Sequence, residues 1–123
     1  MISGIGIDIV EIQRIAMTMT KQKRFINRIL TDNEQAAFHE LPGHRQAEFL
    51  AGRFAAKEAF SKAIGTGIGQ KLSFTDIEIN NDKNGRPFIE KPVKEGVFLS
   101  ISHTKQYAVA QVVMEKQNSK VAE

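Results

Sequence analysis

A chain of 123 residues, with 17 Lys and Arg against 14 Asp and Glu and a net charge of +3, is sized for one domain with a real core. It has no cysteine, which excludes a disulfide framework, thiolate metal sites and a thiol nucleophile, and no apolar run approaches the ~20 residues of a membrane span. Charge appears too early in the N-terminus, at Asp8 and Glu11, for a signal peptide, so a cytoplasmic protein is expected, with acidic partners favoured but not chosen among phosphates, proteins and nucleic acid.

Ile2 to Val10 reads as a strand with Ile5, Ile7 and Ile9 on one face and Gly4, Gly6 and Asp8 on the other. Asp8 is then a carboxylate in an apolar strand, and it needs a cation, whether arginine, lysine or metal. Gly4-Ile5-Gly6 is not a dinucleotide fingerprint, because no third glycine follows and Glu11 opens a helix. That helix is expected to run to about Leu30 with a break near Thr18 to Thr20. Arg14, Met17, Thr18, Lys21 and Phe25 fall along one side of it, with Arg24 and Arg28 nearby. This is either a solvated basic face or a docking face for an acidic, partly apolar partner. Ile12, Ile15, Ile26 and Ile29 serve the core.

Thr31 with Glu34 fits a capping box, which starts a helix to about Leu41. Pro42-Gly43 breaks the chain, and His39 and His44 read as surface residues. A long central helix then spans about His44 to Ile64, roughly 30 Å. Its small residues (Ala51, Gly52, Ala55, Ala56, Ala59, Ala63) allow close packing, and Gly65 is placed to stop it. A strand is expected over Leu72 to Ile79, a turn over Asn80 to Gly85, and a short edge strand from Arg86 to Ile89. Val97 to His103 and Tyr107 to Met114 form a hairpin about Thr104-Lys105-Gln106. The pattern predicts one α+β domain over 1–123, a long central helix on a small antiparallel sheet, with the polar tail frayed from about residue 116.

Asp8 and Glu58 are the two carboxylates set among apolar and small residues. If the first strand packs on the alanine side of the central helix, they converge and repel, and a hard divalent cation such as Mg²⁺ relieves that repulsion. Lys62, one turn after Glu58, then faces the same phosphates. In isolation Glu58 and Lys62 are equally an i,i+4 pair on a solvated face, contributing a few tenths of a kcal/mol. The loop Gly65-Thr66-Gly67-Ile68-Gly69 admits close ligand approach. It follows its helix, however, so the dipole has the wrong sign for anions, and anion binding must come from Lys and Arg side chains or a bridging metal. His103, at a strand end, is a phosphate ligand, a general base or a structural residue. No Ser-His-Asp arrangement is visible.

Three motifs now stand together: Gly4-Ile5-Gly6-Ile7-Asp8-Ile9-Val10-Glu11; Arg53-Phe54-Ala55-Ala56-Lys57-Glu58-Ala59-Phe60-Ser61-Lys62-Ala63 with Gly65-Thr66-Gly67; and Ser100-Ile101-Ser102-His103-Thr104. In this order and spacing the chain, from about Ile2 to Glu115, resembles the holo-acyl-carrier-protein synthase family, the small bacterial type of 4′-phosphopantetheinyl transferase. The resemblance implies transfer of the phosphopantetheine arm of coenzyme A to a serine of apo-acyl carrier protein, releasing adenosine 3′,5′-bisphosphate in support of fatty acid biosynthesis. It also implies Mg²⁺, a homotrimer and active sites between subunits, with no nucleic acid or membrane partner.

By motif, the resemblance makes Asp8 and Glu58 the metal-binding carboxylates and Lys62 the lysine near the pyrophosphate; these three are the expected catalytic residues. Glu58, directly or through a water, accepts the serine proton. Arg53, His103 and Arg45 become contacts to the adenosine 3′-phosphate, with Asn84, Gly85, Arg86 and Pro87 beside the nucleotide and Gly65 and Thr104 completing the coenzyme A site. Arg14, Lys21, Arg24 and Phe25 resemble the carrier-docking face. The competing expectation is a non-catalytic basic module that binds acidic proteins or nucleic acid through the Arg14 to Arg28 face; the lack of an aromatic base-stacking platform counts against it.

Overall fold

The computed structural model describes residues 1–116; the frayed tail expected beyond them lies outside the described residues. The strand β1 (Ile2–Glu11) leads into the helices α1 (Ile12–Lys21), α2 (Arg24–Ile29), α3 (Asp32–His39) and α4 (Gly43–Ile64). Four strands follow: β2 (Glu78–Asn81), β3 (Pro87–Lys91), β4 (Val97–His103) and β5 (Tyr107–Glu115). They form a three-stranded antiparallel sheet in the order β1-β5-β4 and a separate β2-β3 hairpin. The architecture is α+β, as expected from helices followed by hairpins.

Small residues decide how β1 meets α4. A Cβ on Gly6 would stand 1.8 Å from the Ala59 carbonyl oxygen, and one on Gly4 would stand 2.1 Å from that of Ala63. No side chain fits in either gap, so backbone rests on backbone. Ala51, Ala55, Ala56 and Ala59 are fully buried along the same helix. The pairing register completes the picture. Asp8 stands opposite Ala110, which stands opposite Ile101; Val10, Ala108 and His103 form the next row. Side chains of one parity share a face, so Asp8 and His103 both belong to the α4-facing side of the sheet, at opposite edges.

Several boundaries differ from the sequence reading. Glu11 continues β1, pairing with Tyr107, instead of opening the helix. The first helix breaks at Gln22 and Lys23, not near Thr18 to Thr20, because the Thr18 and Thr20 hydroxyls donate to the Arg14 and Ala16 carbonyls and stay within the helix. The strand expected over Leu72 to Ile79 is a 3₁₀ turn, Phe74–Asp76, before β2 begins. The Asp76 carboxylate accepts from the Ser73 amide at 2.9 Å, and Phe74 stacks on Phe54 with ring centroids 5.2 Å apart.

The capping box at Thr31 and Glu34 is present, but Glu34 reaches further. Its Oε1 accepts from the Thr31 amide at 2.8 Å and from Lys57 Nζ at 2.6 Å, and its Oε2 accepts from the Ile79 amide at 2.8 Å. Lys57 is fully buried and also donates to the Ile29 carbonyl at 2.7 Å. Burial pulls the Lys57 pKa down, opposed by the charge and hydrogen bond of Glu34. One buried ion pair thus ties α2, α3, α4 and β2 together.

Candidate functional site

The functional side chains gather in two clusters, one on each flank of α4. At the β1 edge, Lys62 Nζ donates to Asp8 Oδ1 at 3.1 Å and to the Ile7 carbonyl at 2.9 Å. The Lys62 side chain is 51% exposed and that of Asp8 18%. Glu58, one turn before Lys62 on the same helix, joins them electrostatically. Its pKa is raised by burial and then by the negative charge of Asp8, while Lys62 opposes the shift. The charge of Asp8 reaches Glu58 where the glycine face of β1 meets the alanine face of α4. Lys62 is ion-paired with Asp8 and acts on Glu58 through its charge.

At the β4 edge, a cleft of about 500 Å³ is lined by Arg45, Glu48, Phe49, Arg53, Pro87 and His103, among others. Arg53 is buried, and its guanidinium lies over the Phe49 ring, 4.4 Å from the centroid. Burial pulls its pKa down, opposed by the charge of Glu34. Glu48 tempers the positive wall: its Oε1 lies 3.8 Å from Arg45 Nε and 3.6 Å from His103 Nε2. A polar rim, an aromatic floor and two arginines suit a ligand with a flat ring and phosphate groups.

The structure therefore brings Arg45, Arg53, Gly85, Pro87 and His103 to one cleft, and Asp8, Glu58 and Lys62 to another place. Neighbouring strands are about 4.8 Å apart, so β1 and β4, with β5 between them, hold the clusters on separate edges, and α4 lies across the gap. Asn84 and Arg86 sit on the rim turn, where both backbone amides donate to Asp82 Oδ1. The Thr104 hydroxyl accepts from the Gln106 and Tyr107 amides, which shapes the β4-β5 turn. Gly65 caps α4 with φ +100°.

On α1, Arg14, Met17 and Lys21 border a shallow groove, and Arg24 is exposed on α2. Phe25 differs from a free docking anchor: it packs partly into the core, its ring centroid 6.1 Å from that of Phe54. Residues with no mark in the sequence also enter the site. Phe49 and Glu48 read as ordinary helix positions, and Asn81 is hidden in a run of turn formers. An aromatic residue one turn before an arginine on the same helix was the available signal.

The family model of the 4′-phosphopantetheinyl transferase superfamily matches residues 4–113. Curated relatives named holo-[acyl-carrier-protein] synthase include those of Anoxybacillus flavithermus and Bacillus subtilis. Each is 59% identical over 97% of this chain and 100% of the relative. The crystal structure of the Bacillus anthracis holo-(acyl-carrier-protein) synthase in complex with CoA (3′,5′-ADP) superposes with a TM-score of 0.88. It is 55% identical, covering 95% of this chain and 99% of that one. The Helicobacter pylori synthase in complex with coenzyme A gives 0.78 at 35% identity, covering 90% of this chain and 99% of that one. With its two charged clusters set on this shared scaffold, the chain belongs to the 4′-phosphopantetheinyl transferase superfamily.

Proposed function

We propose that the chain transfers the 4′-phosphopantetheine arm of coenzyme A to a serine of apo-acyl carrier protein, as a holo-[acyl-carrier-protein] synthase. The observation that carries this reading is the convergence of Asp8, Glu58 and Lys62 where β1 meets α4. The carrier supplies the nucleophile, which is why this chain needs no activated serine or cysteine of its own. The full-length likeness to synthases does not favour the reading as a non-catalytic basic module.

The donor set fits Mg²⁺. Burial, and then the negative charge of Asp8, raises the Glu58 pKa, and a cation between the two carboxylates would relieve both. Mg²⁺ takes one or two protein carboxylates and completes its shell with water and phosphate. When bound, the ion would offset charge on the pyrophosphate. Asp8 and Glu58 would hold it, and Lys62, released from Asp8, would neutralise the pyrophosphate oxygens as the phosphoryl bond to the leaving bisphosphate breaks. Glu58, directly or through a water, is the group to which we assign the serine proton.

In the β4-edge cleft, Arg45, Arg53 and His103 contact the adenosine 3′-phosphate, with Asn84, Gly85, Arg86 and Pro87 beside the nucleotide and Thr104 at its margin, whereas Gly65, which caps α4, belongs on the side of Asp8, Glu58 and Lys62. The two clusters lie on opposite flanks of α4, so one coenzyme A meets both only if each comes from a different subunit. A second observation supports a homotrimer with shared sites. The sheet face away from α4 leaves Ile5, Ile7, Ile9 and Phe98 more than half exposed, an apolar surface that asks for a partner. Arg14, Lys21 and Arg24, with Met17, offer the acidic carrier a basic face, Phe25 setting the angle of α2 from beneath. No helix among the described residues is long and apolar enough to cross a membrane, and a cytoplasmic setting follows from the substrates.

Incubation with coenzyme A, Mg²⁺ and an apo carrier, followed by intact mass measurement, tests the reaction. The carrier should gain one phosphopantetheine arm, and Glu58→Gln should slow the gain at least ~100-fold. No gain with the wild-type chain, or full activity in the variant, defeats the assignment. A monomer by light scattering at assay concentration defeats the trimer.

A further inference from the structure

The β4-edge cleft holds a buried arginine without a carboxylate. Arg53 is 7% exposed, and among the described residues no carboxylate oxygen lies within 4.0 Å of its nitrogens. A buried guanidinium ordinarily has a paired anion. Here its partners are neutral. Nη2 donates to Asn81 Oδ1 at 2.8 Å, the Phe49 ring covers one face, and the buried Nε has no hydrogen-bond partner.

Asn81 ends β2 and makes a second bond: its Nδ2 donates to the Gly85 carbonyl at 2.8 Å. Both bonds are satisfied in one orientation of the amide only, because the cation needs an acceptor and the carbonyl needs a donor. Gly85 lines the cleft and sits at φ +85°, in the left-handed region that glycine tolerates. One side chain therefore fixes both the guanidinium and the turn that faces it across the rim. An aspartate has the same shape and would do the opposite on both counts. It would neutralise Arg53 and set an acceptor against the Gly85 carbonyl.

We propose that Asn81 is a positioning residue for the 3′-phosphate of coenzyme A: it orients Arg53 and the 82–86 turn while leaving the guanidinium charge free for the ligand. This rests on the reading of Arg53 as a phosphate contact. Asn81 is exposed, so its variants keep the fold. The test compares kcat and KM for coenzyme A and for 3′-dephospho-coenzyme A, with the full chain and saturating apo carrier, in wild type, Asn81→Asp, Asn81→Ala and Arg53→Gln.

Asn81→Asp should raise the KM for coenzyme A at least ~10-fold, leave kcat within about twofold, and barely change the KM for the dephospho donor. The preference for the 3′-phosphate should fall toward that of Arg53→Gln. Asn81→Ala should fall between, and Asn81→Asp should add little in the Arg53→Gln background. A wild-type preference in both Asn81 variants, beside a lost preference in Arg53→Gln, overturns the role of Asn81 alone. An undiminished preference in Arg53→Gln overturns the reading of Arg53 and, with it, this one. A merely structural Asn81 would weaken both donors alike and leave their ratio unmoved.

Discussion

Lys57 and Lys62 leave α4 just over one turn apart, and each meets a carboxylate. Lys57 is wholly buried against Glu34 at 2.6 Å, whereas Lys62 is half exposed and meets Asp8 at 3.1 Å. Both oxygens of Glu34 and two of the three Lys57 protons have internal partners, since Glu34 also accepts from Thr31 and Ile79, and Lys57 also donates to Ile29. The second pair has the opposite character. Beside it stands Glu58, whose pKa burial and the charge of Asp8 raise against the weaker opposing charge of Lys62. A satisfied network holds a fold, and an under-compensated one is available for a ligand.

Breaking the buried pair should produce the largest effect. Glu34→Ala strands the Lys57 ammonium and leaves the Ile79 amide without its acceptor. We expect a loss of about 3–5 kcal/mol, measured by urea unfolding. A loss below ~1 kcal/mol would mean that water reaches Lys57 and that the pair is not buried in solution.

Gly6→Ala probes the seam between the two regions. The new methyl would enter the 1.8 Å gap to the Ala59 carbonyl, so strand and helix must separate. A cost of about 1–3 kcal/mol is expected, together with a fall in activity as Asp8 draws away from Glu58. Stability and activity both at wild-type level would show that β1 and α4 do not meet as described.

Lys62→Met should divide the regions cleanly. The side chain is half exposed, so unfolding free energy should stay within about 0.5 kcal/mol. Turnover on the carrier should fall by roughly 10–100-fold through loss of charge at the pyrophosphate. Equal turnover would return Lys62 to the status of a surface residue.

Much of the site was legible because it depends on residues that are costly where they stand. A carboxylate in an apolar strand, glycines facing alanines, and a capping box each state a physical demand in the sequence. Lys57 was not legible, since a lysine in an alanine-rich helix reads as a solvated stem until tertiary structure supplies Glu34 from α3. Phe25 was legible only in part for a related reason. Beside Arg24 it reads as a docking anchor, and only the placement of Phe54 turns its ring inward. The β4-edge cleft was half legible: Arg53 and His103 stood out by motif, while Asn81 and Phe49 matter only through a contact that their sequence separation conceals. The 3₁₀ turn at Phe74–Asp76 stands where a strand was expected, held by the Ser73 amide donating to Asp76 and by Phe74 stacking on Phe54.

The smallest effect bears most directly on the contrast between the pairs. Burial and the charge of Asp8 raise the folded-state pKa of Glu58 above its unfolded value. Between those two values the folded chain binds more protons than the unfolded chain, so stability falls as pH rises through the window. The penalty is complete above the raised pKa and absent below the ordinary carboxylate range. Glu58→Gln removes it. In metal-free buffer the variant should therefore melt slightly higher than wild type near pH 7, on the order of 1 °C, and the gain should fade as the pH is lowered toward 4. Glu34→Gln should melt lower near pH 7, because there the carboxylate is the stabilising partner. A loss of melting temperature in Glu58→Gln, or a gain that does not shrink in acid, would place Glu58 in the structural class with Glu34 and remove the physical distinction between the buried pair and the exposed one.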